Sequence, residues 1–215
     1  MLALRDEESQ HPIRIGAPAD LADSVLPAIL RRCSQIIGPA PMEIHVGRSP
    51  FLLTALREGS IDLTISTRWD QTLSSVVLRT SPVVWISSDG FKLDRDAAVP
   101  LVLADEPSIF RKIALDALER TGRKWTERYT SPNLAGIQAA VRAGLGVTAR
   151  SMEMVGSDMK VLGEHENLPP LGGINFYLYM KPETASQRVQ TLFRIMSGQA
   201  LSGETRPATM FEGMP

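Results

Sequence analysis

The sequence has a single cysteine, Cys33, so it holds no internal disulfide and no multi-thiolate metal site. Neither sign of charge is in excess: 23 Lys and Arg stand against 24 Asp and Glu, a net charge of −1. A domain that grips nucleic acid by itself needs a basic surplus to displace counterions from phosphates. Its absence points this stretch toward a small-molecule or protein partner. No apolar run approaches the ~18 residues of a membrane span. The opening MLALRDEESQHP has no apolar core of signal-peptide length, so a cytoplasmic location is expected. Catalytic signatures are missing too, with no Gly-x-Ser-x-Gly elbow and no phosphate-binding glycine loop. Gly144-Leu145-Gly146 follows a helix pattern, whereas a dinucleotide fingerprint follows a strand. His11, His45 and His165 are scattered, and none has a second ligand at helical spacing. No enzyme activity, cofactor or metal is expected.

What is present is an ordinary globular mix, 43% hydrophobic and 22% charged, in a chain long enough for one large domain or two small lobes. Short apolar runs alternate with amphipathic stretches, the pattern of a mostly parallel sheet. Ile13–Ala17 reads as a strand. Asp20 then caps a helix, with Asp23 as a partial capping box. Leu21, Val25, Leu26, Ile29, Leu30 and Cys33 fall on one face of that helix, where Cys33 reads as a buried small hydrophobe. Met42–Val46 is a second strand, Ser49–Pro50 opens a helix that ends at Gly59, and Ile61–Ser66 is a third strand. After a linker, Val83–Ser87 and Leu101–Ala104 read as strands, followed by Glu106-Pro107-Ser108 and a helix to Thr121. Trp125–Thr130 is a strand, Ser131–Pro132 opens a helix that stops at Gly144, and Gly146–Ala149 and Ile174–Met180 are strands. A last helix spans about Thr184–Met196. Trp69, Trp85 and Trp125 lie in or beside strands and read as core.

The rhythm breaks near Arg79–Asp89, which suggests two lobes. Residues 12–82 with 180–197 form the first and 83–179 the second. Residues 1–11 read as a linker remnant and 198–215 as a disordered tail. Hinged α/β lobes of this kind take ligands in the cleft at the carboxyl ends of their strands.

Three segments carry a resemblance to a known family: IRIGAPADLADSVLPAIL (Ile13–Leu30), GRSPFLLTALREGSIDLTI (Gly47–Ile65) and SPNLAGIQAAVRAGLGVTARS (Ser131–Ser151). In this order they resemble the effector-binding domain of LysR-type transcriptional regulators, over about residues 12–197. LVLADEPSIFRKIAL (Leu101–Leu115) and GLGVTARSMEMV (Gly144–Val155) look close to the LrhA/HexA/PecT branch. The resemblance implies a type II periplasmic-binding-protein-like α/β fold: two Rossmann-like lobes with a hinge and an interlobe cleft. It also implies a small-molecule effector, and side-by-side antiparallel dimers, or tetramers, built with the first helix (Leu21–Ile37) and the helix Ile109–Thr121. The family's winged helix-turn-helix and linker helix are not in these 215 residues, so DNA binding is implied for the complete regulator. A transport solute-binding protein of the same fold is the alternative, and the lack of a signal peptide argues against it. An enzyme on this scaffold would need a nucleophile or acid/base pair that the sequence does not offer.

Helix N-termini gather unpaired N–H groups and a partial positive charge, and so favour anions or carbonyl oxygens. Candidates after the first three strands are Pro18, Ala19 and Asp20, then Arg48 and Ser49, then Thr67 and Arg68. From the second lobe come Asp105, Glu106, Ser108, Ser131, Asn133, Thr148 and Arg150. The resemblance implies that the matching loops line the effector pocket. Simple helix capping is the competing reading for Asp20, Ser49, Glu106, Ser108 and Ser131. Arg48, Arg68 and Arg150 could clamp a carboxylate bidentately, or could be solvated or paired with Asp20, Asp105 or Glu106.

Overall fold

The computed structural model describes residues 11–38, 41–181, 183 and 185–198. These divide into two compact units: the described residues up to Arg79 with those from Asn175 onward, and Thr80–Ile174. The boundaries fall inside two long strands, a few residues before the expected 82/83 and 179/180. Of the expected linker (1–11) and tail (198–215), all but residues 11 and 198 lie outside the described residues.

The first unit is built on four strands in the order β2-β1-β3-β9. Strand β1 (Ile13–Pro18) pairs in parallel with β2 (Met42–Gly47), from Ile13 opposite Met42 to Pro18 opposite Gly47. On its other side β1 pairs in parallel with β3 (Leu63–Ser66). The carboxyl-terminal part of β9 (Gly173–Met180) runs antiparallel to β3. Parallel neighbours require crossovers, and helices supply them. The expected single helix over 20–37 is two: a turn, α1 (Ala19–Ala22), and α2 (Leu26–Ile37), separated by a turn at 23–25. Pro27 is the reason. Its ring would clash with the Asp23 carbonyl four residues back and offers no N–H to it, so it sits in the first turn of a new helix. Asp20 is therefore not the N-cap; that position is Pro18, and Asp20 is buried inside α1. Helix α3 (Ser49–Glu58) ends on Gly59 in the left-handed region, φ 74°, and packs Leu52, Leu53 and Leu56 against Ile61 and Tyr179. Asp62 clamps the entry to β3 by accepting from the Arg14 backbone N–H at 2.8 Å and from its guanidinium at 2.7 and 3.2 Å. The last helix, α6 (Gln187–Met196), starts at a Ser186 cap that accepts from Val189 N. Thr184, the expected start, lies outside the described residues.

The second unit contains the later part of β4 (Ser75–Ser88), which begins eight residues earlier than expected. It is flanked by antiparallel β7 (Thr148–Ser151) and β8 (Met159–Leu162). Beside them lies a parallel pair, β5 (Val99–Ala104) and β6 (Trp125–Ser131). Helix α4 (Ile109–Thr121) joins β5 to β6, and α5 (Leu134–Arg142) follows β6. The core of this unit is Ile86, Val102, Ile137, Ala140, Val141, Met154 and Met159. Trp85 is buried and donates its indole N–H to the Pro169 carbonyl at 2.8 Å. β8 escapes a pattern reading because it is four residues long with Lys160 inside it. β7 starts two residues later than expected, because Gly146 and Val147 serve β5 instead: Val147 N donates to Pro100 O and Val102 N to Val147 O, each at 2.8 Å.

That junction leaves no room for a side chain at Gly146, where a Cβ would stand 2.3 Å from the Pro100 carbonyl oxygen. Backbone cannot swing aside as a side-chain tip can. Gly146→Ala is expected to lower unfolding stability by about 1–3 kcal/mol, read from urea denaturation. Gly90→Ala, where a Cβ meets nothing within 4 Å, is the matched control and should change it little.

Candidate functional site

Each unit gathers most of its candidate residues at the carboxyl ends of its parallel strands; Thr148 and Arg150, on antiparallel β7, are the exceptions. In the first unit Pro18 and Gly47 end β1 and β2 opposite each other, and Ala19 and Asp20 open α1. Arg48 is the extended N-cap of α3; its carbonyl accepts from Leu52 N at 3.0 Å. Ser49 does not cap α3 with its side chain. Its hydroxyl instead accepts from Thr67 N at 2.8 Å and shares a hydrogen bond with the Thr67 hydroxyl at 3.0 Å. The loops after β2 and β3 are thereby tied together.

Arg68 is held through its backbone. Its N–H donates to the Ser66 hydroxyl at 2.9 Å, and its carbonyl accepts from Ser66 Oγ and from the Tyr179 hydroxyl, at 3.1 and 3.0 Å. Tyr179 accepts in turn from Asp70 N at 2.9 Å. Burial pushes its phenol up to about 12, so it stays protonated and serves as a fixed donor. The side chain of Arg68 is exposed. Next to it Trp69 is 54% exposed and leans on Tyr177, ring centroids 5.3 Å apart. The expectation that Trp69 is core is therefore wrong, since its backbone lies in the loop beyond β3 rather than in the sheet.

In the second unit the loops after β5 and β6 meet, with Asp105 N 3.4 Å from the Ser131 carbonyl. Glu106 is exposed and joined to Pro107 by a cis peptide. Ser108 is a true N-cap, its hydroxyl accepting from Arg111 N at 3.2 Å. Ser131 is not, because the N-cap of α5 is Asn133 without a side-chain bond. The Ser131 hydroxyl closes a local turn by accepting from Asn133 N and donating to Asn133 O, at 3.2 and 3.0 Å. Of the five expected caps, then, only Ser108 caps with its side chain.

Thr148 and Arg150 lie on β7, opposite Ile86 and Val84 of β4. Both are buried, Arg150 at 7% exposure. Its guanidinium sits 5.0 Å from the centre of the Phe110 ring in the first turn of α4, a cation–π arrangement that stabilises a desolvated cation. Sequence reasoning missed Phe110, Ser66 and Tyr179. Phe110 was open to recognition as the aromatic one turn into a capped helix; nothing in the sequence marks the other two. Next to Arg150, the Ser151 hydroxyl is buried without a hydrogen-bond partner among the described residues.

Among the described residues these loops offer fixed hydrogen-bond donors and a buried cation. Residues 6–200 match the LysR substrate binding domain. The chain belongs to that family. It is 38% identical over 191 residues to the HTH-type transcriptional regulator PecT of Dickeya dadantii, a stretch that covers 89% of this chain and 60% of PecT. The chain therefore spans about three-fifths of that regulator's length. Among solved structures, the bromide-bound regulatory domain of HypT from Salmonella typhimurium has the same fold. Its TM-score is 0.72 at 19% identity, covering 87% of this chain and 94% of that one. The Synechocystis PCC6803 CcmR regulatory domain in complex with 2-PG gives 0.71 at 15% identity, covering 90% and 99%.

Within this LysR domain Cys33 is fully buried, and burial pushes its thiol up to about 11. The thiolate, the reactive form, is scarce at neutral pH. Native protein is expected to resist a thiol-reactive dye at pH 8 over a time in which urea-unfolded protein reacts fully; equal rates would show that α2 opens readily.

Proposed function

We propose that this chain is the effector-sensing and oligomerisation domain of a cytoplasmic LysR-type regulator, without catalytic activity, and that its effector is a small anion. The observation that carries the reading is Arg150. An arginine keeps its charge at any ordinary pH, and its planar guanidinium can hold a carboxylate or phosphate through two parallel hydrogen bonds. Here it lies in the same unit as the Ser131–Asn133 turn and beside the capped start of α4. The bromide ion named for the HypT regulatory domain supports the same polarity of ligand. The remaining candidates are proposed as ligand-facing loop residues of their own units, Pro18, Ala19, Asp20, Arg48, Ser49, Thr67 and Arg68 in the first and Asp105, Glu106, Ser108 and Thr148 in the second. DNA contact belongs to the helix-turn-helix of the complete regulator. Membership of the family favours this sensor over a transport solute-binding protein.

A ligand that binds only the folded protein raises its melting temperature by mass action. Screening carboxylate and phosphate metabolites should give at least one concentration-dependent shift of several degrees. Arg150→Met, which keeps most of the side chain's bulk over Phe110, should lose that shift while the unliganded protein still unfolds cooperatively. Arg150→Ala would leave a hole as well, so its own melting temperature should fall. A full shift in the Met variant removes Arg150 from the pocket.

The oligomerisation half rests on exposed apolar side chains at the sheet edges. In the first unit, edge strand β2 exposes Ile44 and Val46, and α2 exposes Ile36; in the second, α4 exposes Ile109 and β6 exposes Tyr129. An open edge with apolar side chains invites pairing, and a second copy of this chain is the occupant proposed. The mass in solution should be that of a dimer or larger, and Ile44→Glu with Val46→Glu should reduce it to the monomer in sedimentation. A monomeric wild type at high concentration overturns the assignment.

A further inference from the structure

A second cationic site lies in the second unit, away from the residues just described. Arg123 follows the Gly122 stop of α4 and is buried, at 9% exposure. It donates to three backbone carbonyls, Ala97 at 2.6 Å, Asn167 at 3.2 Å and Asp94 at 3.3 Å. A guanidinium has five N–H groups, so donors remain that no described residue accepts. No carboxylate among the described residues pairs with it, although a buried charge without a counter-charge is unfavourable. Carbonyl dipoles account for its position and leave its charge unneutralised.

Arg123 also lines a cavity of about 400 Å³, together with Arg95, Lys124, Asp96, Glu164 and Asn167. That volume is in the range of small-ligand pockets. None of the three cations forms an ion pair within the described residues. Asp96 and Glu164 in the same lining are exposed, and the three cations outnumber these two carboxylates. The cavity sits at the amino ends of β5 and β6, where Val99 N donates to Lys124 O at 2.9 Å. The Asp105 and Ser131 loops are at the opposite ends of the same strands. Six residues of β5 at ~3.3 Å each separate them by about 20 Å.

We propose that this cavity binds a phosphoryl group, with Arg123 as its floor and Arg95 and Lys124 at its mouth. The site is independent of the effector reading given above. Free phosphate and a phosphorylated metabolite share the chemistry that would be recognised here, since the spare guanidinium N–H groups and two exposed cations suit a dianionic oxyanion.

The test is a titration of ¹⁵N-labelled protein with inorganic phosphate and, separately, glycerol 3-phosphate, against chloride at equal ionic strength. Saturable shifts of the Gly122, Arg123, Lys124 and Asn167 amides are expected with one or both ligands, and the tighter of the two identifies the source. Arg95→Ala with Lys124→Ala, both exposed positions, should weaken binding at least tenfold while leaving the rest of the spectrum unchanged. Shifts confined to the Ser131–Asn133 and Thr148–Arg150 amides would overturn this site and leave the effector reading standing. No saturable shift at Gly122–Lys124, or an unchanged affinity in the double variant, overturns it as well.

Discussion

Parallel strands cannot be joined by tight turns, and that geometric constraint organises the molecule. After β1 and β2, and again after β5, the chain must climb back over the sheet, and a helix does the climbing. Every such helix then begins where a strand ends, so unpaired N–H groups, capping residues and loop side chains collect at one end of each sheet. Most of the candidate residues are there because of topology. Pro18 and Gly47 end level with each other by register, and Asp105 touches Ser131 because β5 and β6 are neighbours.

Hydroxyl groups then differentiate these loops. A serine beside a helix start can satisfy that helix, bridge to another loop or close a turn on itself, and this chain uses all three. Ser108 caps, Ser49 bridges to Thr67, and Ser131 closes a turn. The distinction matters for binding. A serine committed to its own helix stiffens one element, whereas Ser49 makes two loops move as one. Tyr179 extends the same fixation to the loop after β3, through the Arg68 carbonyl and the Asp70 N–H.

Much of this was legible in the sequence and some was not, for reasons that differ by residue. The strands β1, β2, β5 and β6 are bounded by turn residues and carry apolar or β-branched runs, so local pattern suffices. Gly59 and Gly122 mark helix ends because a left-handed residue is needed there. The break between α1 and α2 was hidden by apolar spacing that continues through it, although Pro27 announced it on steric grounds alone. Burial of Arg150 was not legible: an arginine on a short strand reads as solvated, and the aromatic face that receives it comes from Phe110, forty residues earlier. Arg123 was invisible for the same reason, since its three carbonyls come from residues 94, 97 and 167. Long-range partners are what a single sequence conceals most completely.

The division of the chain between its two units also has a temporal side. Thr80–Ile174 is one unbroken stretch, whereas the other unit combines the described residues up to Arg79 with those from Asn175 onward. During synthesis the contiguous unit has all its strands in hand while the discontinuous one still lacks β9 and α6. Until those arrive, β3 has an open edge and the loop after it lacks the phenol that fixes it. Closing that sheet joins Leu63 to Met180, a loop of more than a hundred residues whose closure entropy is repaid only when the strands pair. The unit begun earlier along this stretch is thus the later of the two to be completed.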